Sequence, residues 1–138
     1  MGVMLPPDYR PSEDEPFMNE RQREYFRRRL NRWKDEIIRE SKETLQNLAS
    51  DSVLHADLAD RASSEAERAN ELRARDRQRK LISKIDSALR RIEDGTYGFC
   101  EDSGDPISLR RLEARPIATL GIEAQERHEK RERVYRAD

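Results

Sequence analysis

The chain has 138 residues, a formal net charge of −1 and one cysteine, with 41% charged and 34% hydrophobic residues. Leu, Ile, Val and Phe together number only 26, so the sequence excludes more than one modest globular core. The single cysteine excludes an intramolecular disulfide, and because no run of about 20 apolar residues is present, we expect a cytoplasmic protein without a membrane segment.

The first 18 residues predict an extended N-terminal arm, because they contain four of the six prolines and an acidic run at residues 13–15. The following stretch, residues 19–94, lacks Gly and Pro and begins with Asn19, a suitable helix cap. This stretch is too long for one ordinary helix, so it predicts either a helical hairpin or one long rod.

The apolar spacing favours an antiparallel hairpin. The first half carries a heptad seam at Phe26, Leu30, Trp33, Ile37, Leu45 and Leu48. The second half carries two apolar runs, Ala62, Ala66, Ala69 and Leu72, then Leu81, Ile85, Leu89 and Ile92. A fold-back near residues 51–60 would pair residues whose numbers sum to about 114. In this register Trp33 meets Leu81 and Leu45 meets Ala69, so apolar layers face each other.

The remaining residues predict two further segments. Residues 95–120 hold three of the five glycines and the last two prolines, which indicates a small turn-rich module. Residues 121–138 are highly charged and have no helix breaker after Gly121, so they predict a C-terminal helix.

Two carboxylates, Asp57 and Asp60, lie in the predicted hairpin tip at residues 51–62. Because they are three residues apart on a helical turn, they face the same side. They can cap the second helix and complement its dipole, or they can help to hold a divalent cation. The residues alone leave both alternatives open.

The second arm of the hairpin is strongly basic between residues 72 and 91. Eight Lys and Arg residues stand there against Asp76 and Asp86, which favours either an acidic or phosphate-bearing partner or a solvated coiled-coil surface. The overall charge of the chain and the lack of aromatic residues among these cations argue against free nucleic acid as the main ligand.

A degenerate metal-binding frame lies at the C-terminal end of the chain. The spacing C-x2-C-x17-C-x2-C of a tetrahedral zinc site is occupied by Cys100, Ser103, Gly121 and Ala124. Only Cys100 keeps a thiolate, so we expect no bound zinc and an apolar core in its place. The candidates for that core are Phe99, Ile107, Leu109, Leu112, Ile117, Leu120 and Ile122. Cys100 itself is either a small buried side chain or a reactive thiol.

Four segments together resemble the DksA family of bacterial transcription regulators. They are DLADRA at residues 57–62, LRARDRQRKLISKI at 72–85, YGFC at 97–100 and LRRLEARP at 109–116. The resemblance covers about residues 18 to 125. It implies a mainly α fold with an antiparallel coiled-coil hairpin, a small degenerate zinc-finger-like globular module and a C-terminal helix.

The resemblance also implies a mode of action. The hairpin would enter the secondary channel of RNA polymerase and, with (p)ppGpp as the effector of the stringent response, repress rRNA-type promoters and activate others. No enzymatic activity, tightly bound cofactor or sequence-specific DNA binding is implied. By position, the functional tip corresponds to Asp57, Asp60 and Ala62, and the (p)ppGpp site to Arg77, Leu81, Lys84 and Arg115, with Gln125 at a further position that is basic in the family.

Two other functions stay open at this point. A Gre-like factor would use the tip carboxylates to recruit magnesium and stimulate transcript cleavage, whereas a coiled-coil adaptor would have no polymerase role. Because the apolar residues of the two predicted hairpin arms can bury each other within one chain, we expect a monomer.

Overall fold

The computed structural model describes the backbone of residues 3–54 and 58–137, and their side chains apart from residues 47–62 and 136–137. The described residues form four helices in the order α1 (Glu20–Leu54), α2 (Leu58–Asp94), α3 (Leu109–Ala114) and α4 (Ile122–Ala137). The described residues form no strand, and their one β contact is an isolated antiparallel bridge between Phe99 and Pro106. The prediction of a mainly α fold with a long helical hairpin is therefore confirmed. No described helix is long and apolar enough to cross a membrane.

The chain packs into two compact units, which are described separately. Unit 1 consists of Met1–Leu30 and Ser87–Asp138, and unit 2 consists of Asn31–Asp86. Segments of α1 and α2 run antiparallel within each unit. In unit 1 the core contains Phe26, Leu30, Ala88, Ile92 and Tyr97, whereas in unit 2 the buried apolar residues among the described side chains are Ile37 and Ile85.

The predicted pairing register of the hairpin is wrong. Lys34 forms an ion pair with Asp86 and Ser41 donates a hydrogen bond to Gln78, so the residue numbers of partners in unit 2 sum to about 120 rather than 114. In unit 1 the pair Arg27–Glu93 has the same sum. The buried side of α2 runs through Ala88 instead of Leu89, which is half-buried. Pairing the larger apolar residues of the two helices gave the wrong register, because the core position of α2 is occupied by the small Ala88.

The predicted apolar seam also fails toward the tip. Leu45 and Leu72 are exposed, as is Ala66, and Ala69 is half-buried. Trp33 is half-buried, and the side chain of Leu48 lies outside the described set. Half-buried polar side chains take the inner positions instead, at Ser41, Thr44 and Gln78.

The N-terminal arm of unit 1 is folded against the start of α1. The Gln22 side chain is fully buried, where its carbonyl accepts a hydrogen bond from the Met18 N–H at 2.7 Å and its amide donates one to the Ser12 carbonyl at 3.1 Å. The Tyr9 ring packs edge-on against Tyr25 with ring centroids 6.1 Å apart. The two hydrogen bonds of Gln22 satisfy its buried amide and also use backbone groups of a segment that has no regular structure of its own.

The turn-rich module has a small apolar core. Of the predicted core residues, Ile107, Leu109, Leu112 and Ile117 are buried and Leu120 is half-buried, whereas Phe99 and Ile122 are exposed. Sequence reasoning missed Tyr97, whose hydroxyl donates a hydrogen bond of 2.8 Å to the Pro116 carbonyl. Gly98 has a φ of 90°, and a Cβ there would come within 3.1 Å of the Phe17 ring, so this tight turn requires glycine.

Candidate functional site

Two of the three predicted tip residues lie at the start of α2. Asp57 falls outside the described residues. Asp60 and Ala62 lie in the first turns of α2, where the structure describes the backbone but not the side chains. The carboxylate geometry of the tip therefore stays a prediction from the sequence.

Three of the four predicted (p)ppGpp residues share one side of α2 in unit 2. Arg77, Leu81 and Lys84 follow each other at intervals of four and three residues, which places them on one helix face. The two cations are exposed and Leu81 is half-buried. Among the described residues neither cation has an ion-pair partner, so this face presents two uncompensated positive charges beside an apolar side chain.

The other two residues connected with this site lie in unit 1. Arg115 ends α3, where its backbone N–H donates to the Arg111 carbonyl at 2.7 Å, and its side chain is exposed. Gln125 lies in the first turn of α4 and donates a hydrogen bond of 3.3 Å to Glu129. A neutral amide at this position offers no positive charge to a phosphate.

The degenerate zinc frame holds one thiol in a polar turn. Cys100 is buried, and the Ser103 hydroxyl, followed by the Gly121 backbone N–H, lowers its pKa to about 7. The same turn is closed by a bond of 2.8 Å from the Cys100 N–H to the Asp105 carbonyl. Of the two alternatives for Cys100, the structure shows the packed side chain. The lowered pKa favours the thiolate form, and the reactivity of the thiol stays a prediction.

The residues of the frame do not fit zinc. Gly121 and Ala124 have no donor atom, and a serine hydroxyl is a poor substitute for a thiolate on this soft metal. An open cavity of about 520 Å³ is lined by all four frame positions together with Arg111 and Arg127. Within the described part of the chain no three His, Cys, Asp or Glu side chains are grouped to hold a metal ion.

Hydrogen bonds and an ion pair hold the chain on either side of Gly121 to the turn after Cys100 and to α3. The Glu101 N–H donates to the Thr119 carbonyl at 2.9 Å, and the Arg111 Nε donates to the Leu120 carbonyl at 2.8 Å. His128 Nε2 lies 2.8 Å from an Asp102 carboxylate oxygen, which links α4 to the turn after Cys100. Sequence reasoning missed this pair, because nothing in a separation of 26 residues indicates contact.

Models of known families match both parts of the chain. Residues 22–92 match "DnaK suppressor protein DksA, N-terminal domain", and residues 95–130 match "Prokaryotic dksA/traR C4-type zinc finger". Together the two matches cover most of the chain. The second family is named after four cysteines, of which this chain keeps Cys100 alone.

Individual relatives agree with the family models. A protein of Caulobacter vibrioides named "RNA polymerase-binding transcription factor DksA" is 70% identical over 131 residues, which are 95% of this chain and 92% of that protein. The Escherichia coli K12 protein of the same name is 42% identical over 91% of this chain and 83% of its own length. The solved structure of transcription factor DksA2 from Pseudomonas aeruginosa has a TM-score of 0.79 at 45% identity, covering 85% of this chain and 90% of that one. The chain therefore belongs to the DksA family.

Proposed function

We propose that this chain is a non-enzymatic transcription regulator that binds RNA polymerase and modulates initiation together with (p)ppGpp. The observation that carries the proposal is its 70% identity, over 95% of its length, to a Caulobacter vibrioides factor whose name states RNA polymerase binding. We further propose that the protein is a cytoplasmic monomer and that it does not read DNA sequence.

The hairpin tip is the proposed acting part. Inserted through the secondary channel, it would bring Asp57 and Asp60 close to the catalytic centre of the polymerase. Carboxylates there act by their charge near the catalytic magnesium, where an effective dielectric constant far below that of water strengthens their influence. Such a contact changes the stability of the open complex without touching promoter bases.

The proposed effector site uses the face of α2 that carries Arg77, Leu81 and Lys84. The two cations suit the phosphates of (p)ppGpp, and Leu81 offers an apolar surface to the base or ribose. Arg115 would supply a third positive charge. Because Gln125 supplies none, we expect a response to (p)ppGpp that is weaker than with a basic side chain at this position.

The test is transcription of a ribosomal RNA promoter by purified polymerase, with wild-type protein or Asp60→Asn, each with and without (p)ppGpp. Asparagine keeps the shape of aspartate and removes its charge. We expect the wild type to inhibit and the nucleotide to deepen inhibition, whereas Asp60→Asn binds the polymerase and does not inhibit. Equal inhibition by the variant would contradict the tip mechanism. Shortened RNA in backtracked complexes would support the Gre-like alternative instead.

A further inference from the structure

The backbone of Arg115 is held by hydrogen bonds on both sides of the residue. Its N–H donates to the Arg111 carbonyl at 2.7 Å, and its carbonyl accepts from the Ala118 N–H at 3.0 Å. The next residue, Pro116, is buried, whereas the side chain of Arg115 is exposed. An exposed guanidinium group therefore stands on a fixed backbone at the point where the chain leaves α3.

Pro116 limits this backbone further and leaves one polar group to be satisfied. The proline ring disfavours helical torsion angles for Arg115, which has a φ of −141° and a ψ of 84°. Because proline has no N–H, its carbonyl is the only backbone group through which it can be hydrogen bonded. This buried residue finds its partner in the hydroxyl of Tyr97, which donates to the carbonyl at 2.8 Å across 19 residues.

Tyr97 is itself fixed in the core of unit 1. Its side chain is 2% exposed, and its ring centroid lies 5.5 Å from that of Phe26 on α1. Its backbone N–H donates to the Arg91 carbonyl near the end of α2 at 3.1 Å. Burial raises the pKa of the hydroxyl, which therefore keeps its proton and remains a donor. A phenylalanine would fill the same space but leave the Pro116 carbonyl without this partner.

A fixed backbone matters for an arginine that binds phosphate. The planar guanidinium group bonds to phosphate oxygens in a restricted set of orientations. When the backbone is ordered before the ligand arrives, binding does not have to supply the free energy of ordering it. The buried hydroxyl of Tyr97 provides such order one residue beyond Arg115, at a distance from solvent where the nucleotide cannot touch it.

We propose that Tyr97 is a positioning residue for Arg115 in the response to (p)ppGpp. The inference rests on the proposed function and deepens it, because it names a residue that acts on the nucleotide only through another side chain. The Tyr97 hydroxyl holds the Pro116 carbonyl, and this contact keeps the adjoining backbone of Arg115 in the place from which the guanidinium group reaches the phosphates.

The test uses the full-length chain with purified RNA polymerase on a ribosomal RNA promoter. It measures the (p)ppGpp concentration that gives half of the inhibition added by the nucleotide. We expect Tyr97→Phe to raise this concentration about threefold to tenfold, the effect of losing one hydrogen bond. Arg115→Gln should raise it as well. In the double variant Tyr97→Phe should add nothing, because a positioning residue has no effect once the side chain that it positions is gone.

Tyr9→Phe is the matched control. It removes a hydroxyl that donates to the Glu15 carboxylate at 3.0 Å within the N-terminal arm of unit 1, so its response should equal that of the wild type. Thermal unfolding shows whether each variant is folded at the assay temperature. If Tyr97→Phe does not fold, Glu113→Gln takes its place, because Glu113 lies two residues before Arg115 and attaches α3 to Arg29. It should raise the same concentration, again only while Arg115 is present.

Each outcome decides the matter. A rise that disappears in the Arg115→Gln background supports the inference. The inference is refuted and the proposed function stands if Tyr97→Phe responds like the wild type, if its effect persists without Arg115, or if Tyr9→Phe weakens the response equally. If the wild type responds and Arg115→Gln does not weaken the response, Arg115 is not part of the effector site and the inference is refuted. If the wild type does not inhibit or does not respond to (p)ppGpp, the proposed function fails and the inference fails with it.

Discussion

Glu113 on α3 forms an ion pair of 2.7 Å with Arg29 on α1, although 84 residues separate them in the chain. The same carboxylate oxygen accepts a hydrogen bond of 3.0 Å from the Tyr25 hydroxyl. Burial, followed by this hydrogen bond, raises the pKa of Tyr25. Within unit 1 the Glu113 carboxylate therefore fastens the turn-rich module to the first helix.

Replacing this carboxylate should loosen that attachment. We expect Glu113→Gln to lower the free energy of unfolding by about 1 kcal/mol, because both partners are partly exposed and solvent screens their attraction. Chemical denaturation measures the change. Arg29→Gln and the double variant complete a mutant cycle, and additive effects of the two substitutions would show that the ion pair contributes nothing.

The hairpin could be predicted from the sequence, but its register could not. Residues 19–94 contain neither Gly nor Pro, and α2 ends at Asp94 just before Gly95, which has a φ of 80°. The register depends instead on which side of each helix is buried. The small Ala88 is buried whereas the larger Leu89 is only half-buried, and polar side chains occupy inner positions of the hairpin in unit 2.

The candidate site could likewise be predicted only in part from the sequence. The common face of Arg77, Leu81 and Lys84 follows from local spacing, which a sequence displays directly. The pairs Glu113–Arg29 and His128–Asp102 depend on long-range folding, and charged residues are too frequent in this chain for any one pair to be identified beforehand.

A pair of alanine substitutions tests the observed seam. Ile37 is buried in unit 2 whereas Leu45 is exposed, although the apolar spacing predicts both in the core. We expect Ile37→Ala to lower the free energy of unfolding by about 2 to 4 kcal/mol, and Leu45→Ala by less than about 1 kcal/mol. If the two variants lose equal amounts of unfolding free energy in thermal or urea unfolding, the predicted seam is supported and the observed burial pattern is contradicted.

The Cys100 thiol should titrate near neutral pH. The Ser103 hydroxyl, followed by the Gly121 N–H, lowers its pKa from 9.0 to about 7 in the folded chain. Because the folded state releases the proton first, this group stabilises the fold fully above pH 9.0, and the contribution is lost as the pH falls through about 7. Stability should thus rise between these two values, and Cys100→Ser should flatten the rise.

A direct measurement of the thiol is its ultraviolet absorbance as a function of pH. We expect half-ionisation at about pH 7 in the wild type and at a higher pH in Ser103→Ala, which lacks the hydroxyl that favours the thiolate. Cys100→Ser provides the blank for the absorbance of the tyrosines. A wild-type midpoint at 9.0 would contradict the proposed role of Ser103.

Chelation should leave the stability of the module unchanged. The core residues Ile107, Leu112 and Tyr97 are buried, and the described side chains include no group of three or more His, Cys, Asp or Glu that could hold a metal ion. We therefore propose that packing replaces the metal. The melting temperature should be the same with and without a strong zinc chelator. A fall of several degrees would show that the protein depends on a metal.

Restoring the missing ligands should create a zinc site. Ser103→Cys, Gly121→Cys and Ala124→Cys together complete the four-cysteine spacing, and a Cβ at Gly121 meets no other atom within 4 Å. We expect this variant to retain about one zinc ion per chain and to lose thermal stability when it is chelated, because zinc binding then contributes to folding. The matched control adds Cys100→Ser, which leaves three thiolates and should weaken zinc binding. If the variant folds but retains no zinc, the backbone around Cys100 no longer holds the geometry of a tetrahedral site.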